Sequence, residues 1–127
     1  MDDAASANRH AARLVGTSIY QLRVARALTL DFESDARLVI ETPLSAHSTA
    51  GVWQGEPADG GAIDVLLPLL DQRIESARVS TAGSIRLTFA SGAIEVGPHP
   101  EYESWQLATP DTRLVICMPG GGLESWQ

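Results

Sequence analysis

Along most of this chain apolar and polar residues alternate, the period-2 signature of strands with one face buried. Over 19–24, Tyr20, Leu22 and Val24 fall on one face and Gln21 and Arg23 on the other. Residues 28–32 repeat the pattern, with Leu28, Leu30 and Phe32 inward and Thr29 and Asp31 outward, and Glu33-Ser34-Asp35 follows as a turn signal. Leu38-Val39-Ile40 is more continuously apolar and reads as a third strand, ended by Pro43. Segments 75–79, 84–90 and 93–96 read as three more, with Ser91-Gly92 marking a tight hairpin. Alternation is lost over 45–61, which predicts a loose loop carrying Trp53, either as a plug at the core edge or as an anchor for a partner. Ile63, Leu66, Leu67 and Leu70 stand at i, i+3, i+4 and i+7, but Pro68 lies inside the stripe. This predicts either a short helix over 62–67 that breaks there or two turns with a kink. Near the end, Glu103-Trp105-Leu107 alternates and 114–117 is an apolar run. Together they predict a closing hairpin, with the glycines of 119–122 turning the chain so that Leu123 and Trp126 fold back on the core.

Two stretches echo each other. Leu22-Arg23-Val24 matches Ala77-Arg78-Val79, and residues 28–32 match 85–89 with Phe32 and Phe89 in register. Each half then reads as a three-stranded meander of the same design, unless the echo is only the general likeness of amphipathic hairpins; a real echo places the two meanders in one antiparallel sheet or in two facing ones. One short helix covers only part of a sheet, so a curved arrangement follows. The expected fold is α+β, with mainly antiparallel strands in a curved sheet, roll or partial barrel and one short helix over 62–70. The expected domain spans 15–127, behind an Ala-rich flexible segment over 1–14.

With 127 residues, 44% apolar and 20% charged, the chain has the make-up of one ordinary globular domain. All nine basic residues are Arg and the net charge is -7, which argues against nucleic acid and anionic membrane surfaces and favours a basic protein surface as partner. The single cysteine, Cys117, sits in an apolar run and reads as a small buried hydrophobe. The first thirteen residues lack the apolar core of a secretory signal, and no apolar run approaches membrane-spanning length, so the expected compartment is the cytoplasm.

Candidate chemistry is thin. His10, His47 and His99 show no metal-ligand spacing. Glu101 and Glu103 share a face if the strand reaches them, yet paired glutamates are far commoner on a solvated edge than in acid–base work. The segment 119–122 lacks the Lys-Ser/Thr of a phosphate loop. No catalytic residue, metal ligand or cofactor is assigned. The binding candidates are Trp53, Glu101, Glu103 and Trp126.

The series Tyr102-Glu103-x-Trp105-x-Leu107, the Leu114–Cys117 run, and Pro119-Gly-Gly-Gly-Leu-x-x-Trp126 resembles the terminal signature of a family of small bacterial proteins known as a domain of unknown function. The likeness extends to Leu66-Leu67-Pro68-Leu69-Leu70 and Leu87-Thr88-Phe89, over about residues 15–126. It implies no activity. The expected function is a non-enzymatic protein-binding module, of which an immunity-type toxin inhibitor is one form. The alternatives are a small-molecule binder or enzyme with a pocket between sheet and helix, with Glu103 or His99 at its mouth, and a subunit that self-associates as a homodimer through a strand edge.

Overall fold

The computed structural model describes residues 3–111 and 113–126. Its strands are β1 Ile19–Val24, β2 Leu28–Phe32, β3 Arg37–Ile40, β4 Leu44–Ser48, β5 Gly51–Gly55, β6 Ser76–Val79, β7 Ile85–Phe89, β8 Gly92–Val96, β9 Trp105–Ala108, β10 Leu114–Cys117 and β11 Leu123–Trp126. Helix α1 spans Asp3–Ala11 and α2 spans Ile63–Leu66. The fold is α+β, with two unclosed antiparallel sheets around one core. One sheet has six strands in the order β1-β2-β3-β9-β10-β11, and the other has five in the order β5-β4-β8-β7-β6.

The two echoing halves occupy different sheets. β1-β2-β3 is the meander of the first and β6-β7-β8 that of the second. After each meander the chain crosses over: β4 pairs with β8, and β9 pairs with β3. Each half therefore completes the other's sheet, and the core between them is common to both. Trp105 is wholly buried there, and its Nε1–H donates to Gly83 O at 2.9 Å.

Local chemistry accounts for most boundaries. Asp35, in the β2–β3 turn, takes φ 68°, a conformation Asp tolerates better than most residues. As expected, α2 stops short of Pro68, and the chain continues as a 3-10 turn over Leu67–Leu69. The tighter turn rotates the stripe: Val65, Leu66 and Leu69 are buried, while Ile63 and Leu67 face out.

Four expectations require correction. Residues 45–61 are no loose loop: β4 and β5 form a hairpin there. Its small side chains carry little alternation, and the backbone pairing with β8 holds it instead. The N-terminal segment is not free, because α1 lies between β6 and β11 with Ala4, Ala7, His10 and Ala11 buried. A face of alanines allows close packing but carries a weak hydrophobic signal. Asn8 adds specificity. Its amide donates to Val79 O at 2.7 Å and accepts from Val79 N–H at 2.8 Å, copying a strand partner at the open edge of β6. In β1 the pairing shifts between Ile19 and Gln21, so Ile19 is buried while Tyr20 and Val24 are exposed. Finally, Trp126 is 54% exposed and covers no core.

Candidate functional site

An open groove of about 700 Å³ lies at one end of the six-stranded sheet. Four segments that are distant in sequence build it. Arg26 and Ala27 come from the β1–β2 turn, and Glu41 from just beyond β3. Glu101, Tyr102 and Glu103 come from the connection between β8 and β9. Gln106 on β9 and Pro119 after β10 complete the lining.

The connection is held firmly. Gly120 N–H donates to His99 O at 2.8 Å, and Glu101 N–H donates to His99 Nδ1 at 3.0 Å. The His99 ring lies 5.0 Å from that of Tyr102. Gln106 Nε2 donates to Glu103 Oε1 at 3.2 Å, and Glu41 N–H donates to Ser104 O at 2.9 Å, extending the β3–β9 ladder. The tail glycines make this possible. Gly121 has φ 98°, and a Cβ there would stand 2.3 Å from Ala82 O. The close approach thus presses the turn at Pro119–Gly121 onto the β6–β7 hairpin. The strand begins at Trp105, so Glu101 and Glu103 are not bound by strand alternation. Both can therefore line the groove while Ser104 and Trp105 are buried.

The sequence candidates separate into three places. Glu101 and Glu103 meet in the groove. Trp53 lies in the other sheet, half-buried, with its indole close above Gly55 and Gly61, where an added Cβ would come within 2.9 and 2.6 Å of it. Trp126 stands on the outer face of β11 opposite Leu114. Sequence reasoning misses Glu41 and Arg26, which no local signal marks, because the β3–β9 pairing is what brings their part of the chain to Glu101 and Glu103; Gln106, three residues from Glu103, is a local neighbour that the sequence reading also misses.

The groove is acidic. Three carboxylates, Glu41, Glu101 and Glu103, face one guanidinium, Arg26, and among the described residues none of the four is in an ion pair. Among the described residues no group of three His, Cys, Asp or Glu could hold a metal. Beside the groove the outer face of the sheet turns apolar. Val39, Gln106 and Ile116 are neighbours across β3, β9 and β10, and the next row holds Ala108, Leu114 and Trp126. The aliphatic members are only half-buried. Next to this strip Asp31 is buried beneath two guanidiniums, with Arg37 Nε at 2.8 Å and Arg23 Nε at 2.9 Å. Burial pushes the Asp31 carboxyl up, but the hydrogen bonds from Arg37 and Arg23 prevail and hold it below the usual carboxylate range.

A family of unknown function, DUF6188, matches residues 10–127. The chain belongs to this family. No curated protein and no solved structure gives a significant match. Cys117 is fully buried as expected, and burial pushes its thiol up, away from reactivity. Leu66, Leu69 and Ile74 are buried in the core, and none of the residues lining the groove belongs to α2. Among the described residues no helix is long and apolar enough to cross a membrane.

Proposed function

We propose that this DUF6188 chain is a non-enzymatic protein-binding module that docks a basic protein through the outer face of its six-stranded sheet. The observation that carries the reading is the contiguity of two surfaces. Gln106 belongs both to the acidic groove and to the apolar row between Val39 and Ile116. An apolar strip with a charged margin is the ordinary anatomy of a protein interface, and a half-exposed Trp such as Trp126 is its usual anchor. The uncompensated carboxylates and the net charge of -7 favour a Lys- or Arg-rich surface and speed its approach. An immunity-type inhibitor, masking a basic toxin in the bacterial cytoplasm, is the specific form we favour.

Calorimetric titration with nona-arginine tests the groove. The wild type binds it in a salt-dependent manner, and the triple variant E41Q/E101Q/E103Q loses at least tenfold in affinity. Equal affinity in both overturns the assignment. The immunity form has a growth readout. Cells expressing the product of the adjacent gene survive with the wild-type chain and not with Trp126→Ala combined with the triple variant. Equal survival rejects it.

A further inference from the structure

The two halves of the fold differ in one respect. In the second half β10 is followed by β11, which pairs along its free side, whereas β5, the matching strand of the first half, has no further strand beyond it among the described residues, and α2 touches it only lightly. The six-stranded sheet therefore has one strand more than the other. The other three edges are each obstructed. At β6, Asn8 occupies the backbone of Val79. α1 packs against β11. β1 carries a register shift and Arg23, which is tied to Asp31. Of the four edges β5 alone carries no charged residue; its register with β4 is unbroken, Gly51 at its start has φ 132°, and its Val52 is 85% exposed. Native proteins seldom leave such an edge open without a use for it.

The backbone of β5 also has a defined polarity. The β4–β5 hairpin closes on the pair Ser48–Gly51 with two residues in the turn, so Gly51, Trp53 and Gly55 direct their N–H and C=O groups at β4. Val52 and Gln54 direct theirs outward. The strand reads Gly51-Val52-Trp53-Gln54-Gly55, symmetric in residue size about its centre. Placed antiparallel to itself on a twofold axis at Trp53, it sets Val52 opposite Gln54 of the other copy. The outward groups then form reciprocal backbone bonds, with no like charges facing each other.

We propose that β5 pairs with β5 of a second copy of this chain in that register, joining two five-stranded sheets into one continuous sheet. This surface is separate from the acidic groove, so a dimer leaves both grooves open. A short strand pair buries little area, and the dimer is accordingly concentration-dependent.

Sedimentation equilibrium over about 1 µM to 1 mM tests the proposal, with two double variants that fix the register. V52K/Q54K sets two ammonium groups opposite each other at each of the two cross-strand pairs and weakens dimerisation at least tenfold. V52K/Q54E sets an ammonium opposite a carboxylate at the same two pairs and restores or strengthens it. Both changes are at exposed positions, and circular dichroism checks the fold of each. In the wild type the amide protons of Val52 and Gln54 become protected as concentration rises. A wild type that stays monomeric throughout that range overturns the proposal and leaves the edge to an extended segment of another protein. A dimer to which both double variants respond alike overturns the register.

Discussion

His10 is buried at the junction of α1 with the end of the six-stranded sheet, and its Nδ1 has no hydrogen-bond partner among the described residues. Burial pushes its pKa below the ordinary 6.5, and the nearby Arg113, with Arg13 and Arg9, reinforces that against the opposing Asp111. The unfolded chain therefore takes up this proton more readily than the folded one. Stability is full above pH 6.5 and falls as the pH drops below it. Urea melts of the wild type between about pH 7.5 and 5 show that fall, and His10→Gln flattens it. Asp31 has the opposite chemistry with the same sign. Its carboxyl is held low, so its contribution is full above the ordinary 3.8 and is lost as the pH falls from there through the lower pKa of the folded form. Asp31→Asn leaves two guanidiniums sharing a neutral amide and costs about 1–3 kcal/mol at neutral pH, read from chemical denaturation. Trp105 illustrates a third residue-level rule. A large indole is admitted to the core because a backbone carbonyl, Gly83 O, receives its N–H.

At the scale of elements, the terminal hairpin acts as a clamp more than a lid. Leu123 is buried and Trp126 is not, so the apolar contribution of β11 to the core comes mainly from Leu123 and from closing the side of α1. Gly121→Ala forces a Cβ against Ala82 O in a left-handed backbone and is expected to cost at least about 1–3 kcal/mol by thermal melting. The same change releases the β8–β9 connection and weakens nona-arginine binding. Truncation before Pro119 removes β11 and exposes the alanine face of α1, so the melt shifts down and loses cooperativity. An unchanged melt would show that α1 and the core stand without the clamp.

For the whole molecule, interlocking of the halves is the governing fact. Neither meander keeps its own continuation, since β4 and β9 are exchanged between the sheets. Unfolding of one half strips strands from the other, and a single transition by both tryptophan fluorescence and circular dichroism is expected. Two separated transitions would contradict a common core. The charge of -7 acts at this scale too. Attraction of a basic partner is strongest at low salt and declines as the Debye length shortens from about 10 Å at 0.1 M to about 3 Å at 1 M.

The amino-acid sequence determined what depends on neighbours along the chain. Alternation marked β2 and β7, a continuous apolar run marked β3, the Ser91-Gly92 turn marked the start of β8, Pro68 stopped α2, and the glycines before Leu123 marked a sharp turn, because side-chain period and backbone freedom are local properties. The hairpin at 44–55 and helix α1 escaped notice, since alanine, serine and glycine give little hydrophobic contrast. Tertiary structure alone decided the exchange of strands between halves, the meeting of Glu41 and Arg26 with Glu101 and Glu103, and the exposure of Trp126. These depend on which strands pair across long stretches of chain. That choice is made by the summed burial of two sheets closing on one core, a quantity no single stretch of residues contains.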